Sequence, residues 1–175
     1  MLVIRQNIPG GDSFTKRTLR RMRRLALNDQ VDCDVRRLAL KITEGIRGQD
    51  ALTQIGAIRG WLMNHLMFTR DPRKHELLIA PRILVRSLRK PENHGIIRVD
   101  CDDVATLAAA LGSAVGLDAR FVAVAYLSNN NSAPRHVWGE LAPPGSDQWQ
   151  EMDVTRVYQG LPPKSAITNR WTLKV

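Results

Sequence analysis

Three side chains able to do nucleophilic chemistry stand in order along this chain. They are Cys101 in Val99-Asp100-Cys101-Asp102-Asp103, His136 in His136-Val137-Trp138-Gly139-Glu140, and Asp153 in Glu151-Met152-Asp153-Val154-Thr155. A thiol attacks an amide carbonyl only as the thiolate, which a helix N-terminus or a neighbouring imidazolium stabilises. Cys101 directly precedes an alanine-rich amphipathic stretch, so the pattern puts it on the first turn of a helix, where its own N–H can donate to an oxyanion. His136 can take the thiol proton and hand one to a leaving amine, and Asp153 can fix the tautomer of its ring. Asp100, Asp102 and Asp103 work against this. Their negative charge opposes a thiolate wherever it is not turned to the helix dipole or to arginines.

Other readings of the same residues are weaker. A cysteine on an alanine-rich helix, taken alone, is a small core residue, and His136 alone is as much a strand residue as a site residue. A metal site from His94, Asp100, Cys101 and Asp102 fails on geometry, because adjacent residues on one helical turn cannot all point at one ion. No metal and no cofactor is expected. Cys33 is expected to be structural, and His65 and His75 to lie on the surface or in loops.

The elements that must position the three residues follow from periodicity. Helices are expected over residues 13–27, with Leu19, Met22, Leu25 and Ala26 as the apolar stripe, and over 32–46, with Val35, Leu38, Ala39, Ile42 and Ile46. A third is expected over 50–68, turning Leu52, Ile55, Ile58, Leu62 and Leu66 inward, widened by Trp61 and Met63, with Gly56 and Gly60 retained by close packing. A short helix follows near 83–88. Residues 101–115 give the clearest helix, capped by Asp100, with Asp103 at the capping-box position and Gly116 as its stop. The period then changes to two, giving strands over 120–127, 136–141 and 149–154. The second of these places His136, Trp138 and Glu140 on one face, and Val137, Gly139 and Leu141 on the other. Residues 1–12 read as an extended lead-in, 128–134 as a loop, and the tail from about residue 158 as irregular with a short strand at 170–175.

Charge is unevenly spread. The chain of 175 residues carries a formal net charge of +9, yet residues 1–48 hold 11 Lys/Arg against 5 Asp/Glu while residues 100–175 hold 6 against 8. The densest cluster is Arg20-Arg21-Met22-Arg23-Arg24. It reads as a solvated helix face or an arm docking on another protein, with nucleic acid as a further partner through Arg20, Arg21, Arg23 and Arg24. No apolar run approaches the roughly 20 residues that cross a bilayer, so no membrane span is expected. Met1 to Gln6 lacks the pattern of a signal peptide. Cys33 and Cys101 cannot build a disulfide framework.

Taken together, several segments resemble the transglutaminase-like superfamily of papain-fold thiol enzymes. They are Asp100-Cys101-Asp102-Asp103 with its alanine-rich helix, the run Gly-Leu-Asp-Ala-Arg-Phe-Val-Ala-Val at 116–124, His136-Val137-Trp138, and Asp153-Val154-Thr155. Upstream, Ile58-Arg59-Gly60-Trp61-Leu62, Arg70-Asp71-Pro72 and Glu76-Leu77-Leu78-Ile79-Ala80-Pro81-Arg82 are similar to the lead-in of small bacterial, phage and prophage members. The resemblance covers about residues 50–156. Two departures are Val99, where a glycine usually precedes the Asp-Cys pair, and Phe68, where a tyrosine is usual.

The resemblance implies an α+β, papain-like core with the nucleophile helix packed on a small antiparallel sheet. It implies a catalytic triad of Cys101, His136 and Asp153, no metal or cofactor, and a peptide or protein substrate. The activity implied is that of a cysteine peptidase, amidase or acyltransferase acting on a peptide or isopeptide bond. Residues 49–175 would form this core domain, and residues 1–48 a basic, mostly helical N-terminal extension. The likeness to phage-encoded members implies an alternative: a non-enzymatic virion, tail or assembly component that contacts phage structural proteins through its basic N-terminal helices. The expected location is the cytoplasm, or a phage particle.

Overall fold

A computed structural model describes residues 3–6, 12–70, 76–126 and 136–175. The turn expected around Pro9-Gly10-Gly11, His75 and the loop 128–134 fall outside them. In chain order the elements are β1 (Val3–Gln6), α1 (Asp12–Asp29), α2 (Cys33–Ile42), α3 (Ala51–His65), β2 (Leu66–Phe68), β3 (Glu76–Ile79), α4 (Pro81–Ser87) and β4 (Ile97–Val99). They continue with α5 (Cys101–Ala114), β5 (Asp118–Tyr126), β6 (His136–Ala142), β7 (Gln150–Glu151), α6 (Arg156–Gln159) and β8 (Ile167–Lys174).

Helix α5 is buried all round, from Asp102 through Gly112. A helix with no wet face needs neighbours on every side. One side rests on an antiparallel sheet with strand order β7-β6-β5-β8, and the remaining sides are covered by α1, α2, α3 and α4. Ala105, Ala108, Ala109 and Ala110 make this possible, because small side chains let several backbones approach one axis. The hydrophobic core is continuous from Leu19 and Met22 through Val35, Ile55, Leu107 and Phe121 to Met152. Val122, Val124, Tyr126 and Trp138 form a smaller cluster on the opposite face of the sheet. The result is the α+β arrangement expected, with the helix that begins at Cys101 packed on a small antiparallel sheet.

Ion pairs tie the helices around α5. Asp34 of α2 accepts from Arg86 at 2.8 Å and from Arg89 at 2.6 Å. The guanidinium of Arg86, then that of Arg89, holds the Asp34 carboxyl below the usual carboxylate range. Asp29, at the end of α1, accepts from the Arg82 backbone N–H at 2.9 Å and pairs with the Arg82 side chain. The carboxylate of α1 is thereby placed on the positive N-terminus of α4.

Several boundaries differ from expectation. Helix α3 ends at His65 rather than residue 68, because Leu66 turns extended and β2 pairs in parallel with β4. Leu52 and Met63 are exposed, and a side chain at Gly56 or Gly60 would meet only open space, so close packing does not explain either glycine. Helix α2 stops at Ile42, where the Thr43 hydroxyl donates to Ala39 O at 3.0 Å and Gly45 takes a left-handed turn at φ +78°. The lead-in is itself a strand, β1, antiparallel to β3. The tail forms the eight-residue β8 along β5. The expected third strand narrows to Gln150–Glu151: the Met152 N–H still donates to Gly139 O of β6 at 2.9 Å, and Asp153 turns to His136 and Thr155. Cys33 is exposed rather than structural, standing at the start of α2 while Val35 and Ala39 take its inward face.

Candidate active site

The register of α5 against β6 sets where the thiol lies. Leu141 fills the space beside Gly112, and a Cβ on Gly139 would sit 3.1 Å from Ala105 O and 3.5 Å from the Ala108 side chain. Contacts therefore step down helix and strand in the same direction. The N-terminal ends of α5 and β6, where Cys101 and His136 stand, lie toward the same end of that contact. Val137, Gly139 and Leu141 face α5, and His136, Trp138 and Glu140 face the other way, as alternation requires.

His136 and Asp153 are brought together. His136 is 3% exposed, and its Nε2 lies 2.6 Å from Asp153 Oδ2. Burial pushes the Asp153 carboxyl up, but the hydrogen bond and charge of His136, followed by the N–H and hydroxyl of Thr155, outweigh it and hold the carboxyl below its ordinary value. An ionised carboxylate only accepts, so Nε2 carries a proton and donates a hydrogen bond to Asp153, which leaves Nδ1 as the ring nitrogen that can take up or release a proton. Nδ1 is buried and has no hydrogen-bond partner among the described residues, so no hydrogen bond joins it to the Cys101 sulfur in this state. Catalytic hydrogen bonds of this kind commonly tighten only when substrate is bound.

Asp153 is held from its other oxygen. Oδ1 accepts from the Thr155 N–H at 3.2 Å, the Thr155 hydroxyl at 3.2 Å and the Arg156 N–H at 3.1 Å. Thr155 is itself buried and accepts from Gln159 Nε2 at 2.8 Å, and Arg156 donates to the Tyr126 hydroxyl at 2.7 Å. Thr155 is thus a positioning residue that sequence reading quoted without assigning a role. The signal was there, since a threonine two residues after an aspartate is a common local partner for its carboxylate. On the outer face of the sheet, Glu140 accepts from Arg120 at 2.6 Å, Arg170 at 2.9 Å and Trp138 Nε1 at 3.1 Å. That network fixes the Trp138 ring, which stands 5.7 Å from the His136 ring and shields it.

The three aspartates at the thiol are not equivalent. Asp100 caps α5, its side chain accepting from the Asp103 N–H at 3.3 Å. Asp103 reaches across to β3 and accepts from the Ile79 N–H at 2.8 Å. Asp102 is 2% exposed, its Oδ1 accepts from the Asp103 N–H at 3.0 Å, and its Oδ2 has no partner among the described residues. Burial, then the charge of Asp100, pushes the Asp102 carboxyl well above the usual range. Held toward its protonated form, Asp102 adds less charge against a thiolate than an ordinary aspartate would.

Their carboxylate oxygens lie within 4.8 Å of one another, but a cation there would meet the positive end of α5. A second acidic group, Asp32 with Asp34, is already neutralised by Arg86 and Arg89. A cleft of about 480 Å³ opens among β2, β3, α4 and β4, lined by Met67, Ile79, Ile83, Ile96 and Arg98 among others, and none of Cys101, His136 and Asp153 lines it. Ile79 is the residue whose N–H Asp103 holds, and Arg98 lies three residues before the thiol. No helix of the described residues is long and apolar enough to cross a membrane.

Among known proteins, the family model of the transglutaminase-like superfamily matches residues 36–154. No curated protein and no solved structure matches the chain.

Proposed function

The chain belongs to the transglutaminase-like superfamily, and on that premise we propose that it is a thiol acyl-transfer enzyme acting on amide bonds of peptides or proteins. The observation that carries this reading is the buried His136 ring, tied through Nε2 to an ionised Asp153, with no partner for Nδ1 among the described residues. A buried acceptor without a partner is costly in a purely structural role, and it is what a base needs.

His136 Nδ1 takes the Cys101 proton, and the sulfur attacks the amide carbonyl. The C–S bond forms, the C–N bond breaks, and the imidazolium returns the proton to the leaving amine. Water, activated by the same ring, then attacks the thioester, which releases the acid and restores the thiol. An amine in place of water gives cross-linking; hydrolysis is the reading preferred here.

The test uses Cys33→Ser protein, because Cys33 is exposed and would itself react. Iodoacetamide should alkylate Cys101 at pH 6 about 10- to 100-fold faster than an ordinary thiol. His136→Ala should bring the rate down to the ordinary value and abolish release of amine from peptide amides. Wild-type alkylation by the His136→Ala protein across pH 5–8 would sink the proposal.

A further inference from the structure

Helix α1 carries a row of cations that the fold leaves unpaired. Lys16, Arg17, Arg20, Arg23 and Arg24 are all exposed, and none forms an ion pair among the described residues. Elsewhere Arg37, Arg82, Arg86, Arg89, Arg120 and Arg170 each hold a carboxylate, while the exposed Arg36, Arg47, Arg59, Arg70 and Arg98, which form no ion pair among the described residues, stand apart from one another in the sequence rather than in a row. No Asp or Glu interrupts residues 13–28. With about 3.6 residues per turn, the five cations fall within an arc of about 120° and along about 12 Å of axis. Arg21 stands at the margin, half-buried with Nη1 enclosed and unpartnered among the described residues, so it is outside the row.

Several pairs in the row, among them Lys16 with Arg20 and Arg20 with Arg24, stand three or four residues apart and repel one another. Burial of Leu19, Met22, Leu25 and Ala26 on the other side of α1 holds the helix in place against that repulsion. The same burial leaves no apolar face to enter a bilayer. What remains is a convex ridge of one sign, and four of its five cations are guanidinium groups suited to paired contacts with phosphate. A nucleic-acid duplex presents about one negative charge per 1.7 Å, or about seven along this ridge. Residues 15–29 contain no aromatic side chain to stack on bases, so the contacts are to backbone.

We infer that the α1 ridge, formed by Lys16, Arg17, Arg20, Arg23 and Arg24, binds the phosphodiester backbone of a nucleic-acid duplex without regard to sequence. The ridge contains none of the residues proposed for amide chemistry, so the two readings fail separately.

Fluorescence anisotropy with two labelled 20-base-pair duplexes of unrelated sequence tests it. Both should bind equally, and affinity should fall roughly 10²–10³-fold between 50 and 200 mM NaCl, the slope for about five phosphate contacts. Arg20→Gln, Arg23→Gln and Arg24→Gln together should cut the slope from about −4.5 to about −1.8, whereas the corresponding triple lysine variant should keep it. An unchanged melting temperature and unchanged Cys101 alkylation would show both variants folded. A wild-type slope in the glutamine variant overturns the inference, as does binding insensitive to salt. So does tighter binding, at equal salt, of a polyglutamate peptide or of phosphatidylserine vesicles than of the duplex.

Discussion

At the scale of single residues, the protons on two aspartates shape the pH response of this molecule. Asp153 has its carboxyl lowered in the folded state, so its contribution to stability is present above the unfolded value near 4 and is lost as pH falls through the folded value. Asp102 has the opposite sign. Its folded-state pKa is raised, first by burial and then by Asp100, so above about pH 4 the folded chain retains a proton that the unfolded chain has released. Stability then falls as pH rises through that window, by at most about 1.4 kcal/mol per pH unit. Asparagine cannot ionise, so Asp102→Asn should gain stability relative to the parent between pH 4 and pH 8, read from urea midpoints at the two values. An offset equal at both would mean that Asp102 folds ionised.

At the scale of elements, the contact of α5 with β6 places the thiol relative to the imidazole. Gly139 is the narrow point, since a Cβ there would meet the backbone oxygen of Ala105 at 3.1 Å, and backbone cannot swing aside as a side-chain tip can. Gly139→Ala should therefore push α5 outward by a few tenths of an ångström and cost about 1–3 kcal/mol, measurable by denaturant unfolding. It should also slow Cys101 alkylation without touching Cys101, His136 or Asp153. Sequence alone made much of this contact legible. Alternation put Gly139 and His136 on opposite faces, and the alanine-rich period of α5 with its Asp100 cap marked the start of the helix. The His136–Asp153 pairing could be inferred from turn-linked strands. Other features were hidden for physical reasons. The three residues Leu66–Phe68 continue an apolar run, and only their distant partner Ile97–Val99 makes them a strand. The protonation of Asp102 depends on burial, which no local pattern carries. In β8 the signal was present, since Trp171 and Leu173 alternate with polar residues, but the prolines and polar residues before them obscured its length.

At the scale of the whole molecule, the basic N-terminal helix is part of the structure that supports the thiol. Leu19, Met22, Leu25 and Ala26 belong to the same hydrophobic core as Ala105, Leu107 and Leu111, and α1 packs directly on α5. One continuous core predicts one cooperative transition. The tryptophans report on it conveniently, because Trp61, Trp138, Trp149 and Trp171 all lie after residue 48. Far-UV circular dichroism and tryptophan fluorescence should therefore give coincident unfolding curves, and Met22→Ala should shift both together. Met22 is fully buried, so its truncation should cost about 2–5 kcal/mol, a large share of the roughly 5–15 kcal/mol that holds a domain together. If fluorescence kept its midpoint while the dichroism of the helices moved, α1 would be a separate unit and its cations an appendage. If the curves move as one, the basic ridge is rigidly fixed to the back of the helix that bears Cys101, and whatever charged partner it holds is held at a set position relative to the thiol.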